Sequence, residues 1–398
     1  MATTSATGPP SAPTPAADRK LTPDLARGFM LLLIAMAYAG TYLTADDIGG
    51  YGQPFGGSAL DRTVSTASAL FLENRAFPLF GVLFGIGLVM MTDAARAKGR
   101  PDSQTRSTVR RRSLWLLAFG FVHATLVFSG EILAAYGVAG LLLGWLLFRP
   151  DKARKRATWI VAAYYLVVVG IGSVVVGLAM NADGESSPDW DSSVGYATAE
   201  DWITRVAGGF TAPLINVLVF PMLILVLLGL WMGRRGYLQD PDAHVPALKR
   251  LAAIGIAVSV AGALPLALSG AGLVTVSDGT AMAFFGLQIL TGVAAGVGYA
   301  SLFALIGRRL QRDPGVLTKA LAAAGQRSLS VYLFASVGVA VLLHPDLVGL
   351  GDHLHRAGGM AVALVVWAAG VALAAWLARL GKRGPADALL RRLVYGRR

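Results

Sequence analysis

Residues 119–137 read "FGFVHATLVFSGEILAAYG", and in this apolar stretch an imidazole and a carboxylate, His123 and Glu131, stand eight positions apart. Ionisable side chains are costly in hydrocarbon and rare there without a partner or a task. The two types complement each other chemically. A carboxylate fixes the tautomer of an imidazole and raises its basicity, leaving the second ring nitrogen to take a proton from a hydroxyl or an amine. The bland alternative is a satisfied pair that braces a hairpin. Arg75 precedes the apolar run "AFPLFGVLFGIG", on the side where a cation is disfavoured unless something holds it, and is expected to face the same cavity as His123.

The elements that must position these groups are membrane spans. The chain has 398 residues, 55% of them hydrophobic and 15% charged, with a mean hydropathy of +0.59. That is too apolar for a soluble domain of this length and describes an all-α, polytopic transmembrane helix bundle. About 20 apolar residues are needed to span. Ten segments meet that criterion, near 25–43, 76–92, 111–128, 131–149, 157–180, 211–232, 249–269, 281–306, 317–343 and 359–380. Ser129 and Gly130 mark the turn between the third and fourth. Loops such as "RPDKARKR" and "RRLQRDPGVLTK" are basic and alternate with acidic or mixed ones. Both termini are therefore expected in the cytoplasm. Residues 1–20, rich in Ala, Pro, Thr and Ser, are expected to be a disordered tail. The rest, 21–398, reads as a single transmembrane domain. In it, 181–210 is an extracytoplasmic connector and 381–398 a basic cytoplasmic tail.

Helical spacing assigns faces to the polar residues. In "LTPDLARGF", Thr22 can cap the helix, Pro23 suits its first position, and Asp24 can pair with Arg27 one turn on. The stripe Arg27, Leu31, Ile34, Tyr38 and Tyr42 lines a cavity or packs on a neighbour. Arg112, Leu116, Gly120 and His123 share one narrow arc of the third span, with Gly120 leaving open space beside the imidazole. About 20 Å of helix separates Arg110 from His123, which sets His123 in the outer half of the bilayer. In "AAGQRSLSVYLFAS", Gly325, Ser328, Tyr332 and Ser336 share one face, and Arg327 points away from it if the helix is regular.

Other chemistries have little footing. There is no cysteine, hence no disulfide, thiol nucleophile or thiolate metal site. Metal binding is not expected, since His353 and His355 lack accompanying ligands. No phosphate-loop motif occurs, and "GIGL" near Gly85 lies within a span. The net charge of +12 sits in short clusters between apolar runs, which orientation in the bilayer explains better than nucleic acid does.

Five segments, "DLARGFMLLLIAMA", "RAFPLFGVLFGIG", "RRRSLWLLAFGFVHATLVFSGEILAAYGVAGLLL", "AAGQRSLSVYLFAS" and "GPADALLRRLVYG", occur in this order between Asp24 and Tyr395. Together they resemble the YeiB-type family of bacterial membrane proteins, also called domain of unknown function 418. Tyr38 stands where that family customarily has Asn, and Glu131 where it has Asp. The second exchange keeps the charge, whereas the first removes an amide. The family is distantly similar to membrane acyltransferases, including heparan glucosaminide acetyltransferases and surface-polysaccharide O-acyltransferases. That resemblance implies transfer of an acyl group from cytosolic acyl-CoA to an extracytoplasmic glycan, lipid or metabolite, with acyl-CoA a substrate and no permanently bound cofactor. Arg27, Arg112 and Arg327 would hold the donor phosphates. His123, oriented by Glu131, would deprotonate the acceptor, and Arg75 would stabilise the oxyanion. Asp24, Tyr38, Gly120, Ser328 and Tyr332 would line the cavity. A transporter or flippase with His123 and Glu131 relaying protons, and a non-catalytic envelope assembly protein, are the competing functions.

Overall fold

The computed structural model describes residues 21–43, 48–49, 53–54, 57–128, 130–183 and 194–396. The expected tail 1–20 and the turn residue Ser129 lie outside the described residues. In chain order the helices are α1 (Thr22–Ala39), α2 (Ala59–Phe71), α3 (Ala76–Ala97), α4 (Asp102–Leu126), α5 (Leu133–Leu143), α6 (Asp151–Tyr165), α7 (Gly172–Asp183), α8 (Ala199–Leu218), α9 (Met222–Arg234), α10 (Val245–Gly270), α11 (Asp278–Leu310), α12 (Val316–Gln326), α13 (Ser328–Leu343), α14 (Arg356–Arg379) and α15 (Pro385–Tyr395). A two-residue antiparallel bridge pairs Ile48 and Gly49 with Pro54 and Gln53.

Six of these runs are long and apolar enough to cross a membrane: α1, α2 with α3, α6 with α7, α10, α11 and α14. Two more pass only as bent pairs, α8 with α9 at 60° and α12 with α13 at 91°, giving up to eight. The first bend falls at Pro221, which has no N–H to continue the ladder. The second falls at Arg327, whose φ of −114° and ψ of 32° leave the helical region. The run 133–148 is apolar but short, and α4 carries Arg106 and Arg110–Arg112 in its first half.

α1 is central, packed on α3, α11, α12, α13 and α14. Its predicted stripe is an interior face, with Leu31, Ile34, Tyr38 and Tyr42 all buried. Gly81 and Gly85, four residues apart, bring α3 against α9. A Cβ on Gly85 would lie 2.3 Å from the carbonyl oxygen of Val226. The opposite kind of surface appears on the α6–α7 run, where Trp159 is 76% exposed and Leu166 60%. An apolar exterior of that density fits hydrocarbon better than water.

The local expectations differ from the structure at four places. Thr22 lies inside α1 without making a side-chain cap, and its buried Oγ1 has no hydrogen-bond partner among the described residues. α2 arises in a stretch with no predicted span, started by a Ser58–Asp61 capping box. Residues 199–210 of the expected connector are helical, because Thr198 and Asp201 form another capping box. The basic tail contains α15, which docks on α4 and α13.

Candidate functional site

The site is built on the α4–α5 hairpin. Glu131 stands two residues before α5, and its carboxylate accepts the amide of Leu133 at 2.6 Å and that of Ala134 at 2.7 Å. It thus satisfies two of the donors that a helix N-terminus leaves open, at the positive end of the dipole. Gly120 makes this approach feasible, since a Cβ there would lie 2.2 Å from the Ala134 amide and 2.5 Å from Glu131 Oε1. The open space expected beside Gly120 is therefore filled by the start of α5.

His123 Nδ1 lies 3.8 Å from Glu131 Oε2, an ionic distance beyond hydrogen-bonding reach. That nitrogen is buried and has no hydrogen-bond partner among the described residues. The other one, Nε2, is 2.8 Å from Ser336 Oγ on α13. The Tyr332 ring sits 5.3 Å from the imidazole, and its hydroxyl meets that of Tyr38 at 2.6 Å. Thus His123, Glu131, Gly120, Tyr38 and Tyr332 come together from α1, α4, α13 and the turn before α5, and Ser336 joins them. All six are buried. Two proton arrangements satisfy the Nε2–Oγ bond. With the proton on Nε2, Nδ1 is a bare base facing the carboxylate side; with Ser336 donating, Nδ1 carries the proton towards Glu131.

Arg75 does not join this group. It is fully buried and directs Nε to Ser259 Oγ at 3.0 Å, Nη2 to the Ser259 carbonyl at 2.7 Å and Nη1 to the Glu73 carbonyl. Glu73 pairs with Arg356 at the start of α14. A further cluster closes the end of α4, from segments too far apart along the chain to signal one another. Tyr196 donates its hydroxyl towards the carbonyls of Leu126, at 3.2 Å, and Val127, at 3.1 Å. The Arg205 guanidinium lies 3.5 Å over the Tyr196 ring. His344 stacks edge-on against Tyr196, accepts the Asp346 amide at Nδ1, 3.1 Å away, and places Nε2 3.2 Å from the Val194 carbonyl.

At the opposite ends of α1 and α4, Arg27 pairs with Asp24 at 3.5 Å and lies within Coulombic reach of Arg112. Arg112 in turn is near Tyr395 and Asp387 of α15. Arg327 sits at the α12–α13 break, where the regular helix assumed from sequence stops. It donates to the Lys382 carbonyl at 3.1 and 2.5 Å and to the Ala323 carbonyl at 3.2 Å. Its direction is set by this docking rather than by helical spacing. Ser328 opens α13 and is partly buried. Asp387 caps that helix from α15, accepting from the amides of Leu329 at 3.3 Å and Ser330 at 3.1 Å and from the Ser330 hydroxyl at 2.6 Å. Burial pushes the Asp387 carboxyl above the usual carboxylate range, against the lowering effect of these bonds.

Between the two ends, Leu31, Ile34 and Leu116 fill the interior. Two surface grooves lie elsewhere, one along α9, α10 and α11 and one beside Asp242 and Arg308. Among the described residues no three His, Asp or Glu side chains converge as metal ligands.

A family model described as "Protein of unknown function (DUF418)" matches residues 232–397. YxaH of Bacillus subtilis, described as uncharacterized, is 22% identical over 85% of this chain and 83% of its own. YeiB of Escherichia coli, described likewise, is 27% identical over 81% of this chain and 82% of its own. Both similarities extend well beyond the region matched by the family model, across most of the helical bundle.

Proposed function

From the premise that this chain belongs to the YeiB-type DUF418 family, we propose that it transfers an acyl group across the bilayer with His123 as the proton acceptor. The observation that carries this reading is the buried imidazole whose Nδ1 has no hydrogen-bond partner among the described residues, held between a capping carboxylate and a hydroxyl. Such a ring is positioned and under-satisfied, as a general base must be before substrate arrives. In the reaction an acceptor O–H or N–H gives its proton to His123, the freed atom attacks the thioester carbonyl, and the C–S bond breaks as the leaving sulfur takes that proton from the imidazolium, releasing the thiol and the neutral ring. Arg27, near the start of α1, and Arg112, midway along α4, are two cations within Coulombic reach of each other and supply the affinity for an anionic donor such as acyl-CoA. Arg75 and Arg327, with donors committed to backbone and Ser259, serve the scaffold in this scheme.

The topology that goes with it is the ten-span one in the cell membrane, both termini cytoplasmic. It counts α4 and the short run 133–148 as crossings, and rests on the alternation of basic and acidic loops. The acceptor then lies in the envelope, and donor and acceptor meet only if the helices around Leu31 and Leu116 part. That closure favours a second reading, a proton-coupled transporter in which His123 exchanges a proton between the Glu131 and Ser336 sides. One experiment separates them. Full-length protein in proteoliposomes is given acyl-CoA, and thiol release is followed for wild type and His123→Ala. Transfer predicts release that falls by at least about a hundredfold in the variant. Undiminished release would remove His123 from the chemistry. No release, with solute flux that follows a pH gradient and stops in the variant, would establish the transporter instead.

A further inference from the structure

A groove of about 370 Å³ runs along α9, α10 and α11, and no residue of the His123 cluster lines it. Its upper wall is aromatic: Trp231 from the last turn of α9 and Tyr237 just after it, in edge-to-face contact with ring centroids 5.5 Å apart. Below them the lining is apolar, with Leu251, Ile254, Gly255 and Ala294. Its floor is where α10 and α11 touch closely, since a Cβ on Gly255 would lie 2.5 Å from the Ala294 carbonyl oxygen. Ile254 is 52% exposed and Trp231 37%, so the groove opens sideways onto the surface that hydrocarbon would cover.

The single charged side chain in the lining is Arg250, at the same end as the aromatic pair. It is exposed and has no carboxylate partner among the described residues. Nearby, the Arg235 guanidinium lies over the Trp231 ring, 5.8 Å from its centroid. Trp and Tyr favour the membrane–water boundary, and basic pockets between membrane helices suit anionic headgroups. An unpaired cation and an aromatic pair at one end of an apolar trough have the polarity sequence of a lipid: anion, interface, chain.

We propose that this groove is a binding site for one anionic phospholipid, its acyl chain along Leu251, Ile254 and Gly255 and its phosphate at Arg250. The site is separate from the proposed transfer chemistry and does not depend on it. It is tested on the full-length protein, purified from detergent after exchange with equal amounts of dioleoyl phosphatidylglycerol and dioleoyl phosphatidylcholine, by native mass spectrometry of retained lipid. Wild type retains phosphatidylglycerol in preference. Arg250→Gln lowers that preference roughly fivefold, the size of one cationic contact at a membrane surface. Ala247→Trp, which fills the groove, lowers retention of both lipids. Lys249→Gln, an exposed neighbour outside the lining, changes neither. Equal retention of the two lipids by wild type overturns the proposal, as does an Arg250→Gln protein with wild-type preference. Loss of preference in Lys249→Gln as large as in Arg250→Gln, or displacement of the lipid by inorganic phosphate alone, also overturns it, since either would show diffuse charge attraction without a seated chain.

Discussion

Arg75 and His123 are both ionisable, both buried and both expected on the same side of the bilayer, yet the fold treats them in opposite ways. Each nitrogen of the Arg75 guanidinium has an acceptor, two of them backbone carbonyls, so the side chain stitches α3 to α10. Among the described residues His123 has one hydrogen-bond partner for two ring nitrogens, and a carboxylate 3.8 Å away that is already bonded to two amides. A saturated buried group is structural by the cost of disturbing it, whereas an unsaturated one keeps a lone pair or a proton in reserve. Polarity in a span therefore does not by itself mark a site. The unfilled valence does.

The sharpest way to break that comparison is Arg75→Met. It keeps volume and removes a buried cation, but leaves the Ser259 and Glu73 carbonyls and the Ser259 hydroxyl without their donors. We expect a loss of about 3 kcal/mol in stability, from the penalty for stranded buried acceptors. Thermal unfolding in detergent measures it. A melting temperature unchanged from wild type would mean that the three bonds contribute nothing net, and the contrast with His123 would fail.

Glu131→Gln sharpens the same contrast at smaller cost. Glutamine keeps one oxygen for one amide, while its NH2 faces the other donor, so one of the two capping bonds is lost. About 1 kcal/mol of destabilisation is expected, together with loss of the negative charge beside His123 Nδ1. The measured pair is melting temperature and thiol release. A variant that melts about 1 kcal/mol earlier and still supports full turnover would reduce Glu131 to a helix cap.

How much of this was legible in the sequence follows from separation along the chain. Helical class and membrane character are carried by apolar runs and show directly. The His123–Glu131 pairing was legible because a single turn joins the two. Ser336, 213 residues from His123, was visible only as one member of a polar face, with nothing to name its partner. Ser259, 184 residues from Arg75, leaves no mark in the sequence, so the sequence points Arg75 towards His123 while the fold turns it to α10. The break at Arg327 was hidden for a related reason. Ala322, Ala323, Ala324, Gln326 and Leu329 around it favour helix and outweigh Gly325 in a sequence reading, and the bend is imposed by packing of Gly325 on the Asp24 carbonyl and by docking of α15. Tertiary contacts also explain the filled space at Gly120. A missing side chain signals close approach as readily as a cavity, and only the structure tells which.

The smallest effect concerns the other end of the molecule, where Asp387 resembles Glu131 in capping a helix but lies on a tail helix outside the predicted spans. Its carboxyl is raised by burial, so the folded protein binds a proton there more readily than the unfolded chain does. By linkage this group's contribution is fully present below the ordinary carboxylate pKa and is lost as pH rises through the raised folded value. Docking of α15 should therefore tighten slightly on acidification from neutral pH towards about pH 4, over the carboxylate range. Asp387→Asn, which keeps one acceptor oxygen, should remove that pH dependence at a cost of about 0.5–1 kcal/mol in helix capping. Limited proteolysis of the segment from Lys382 onward, compared across that pH range, reads the docking directly. If wild type and Asp387→Asn show the same pH slope, another titrating group governs α15, and Asp387 caps α13 without sensing pH.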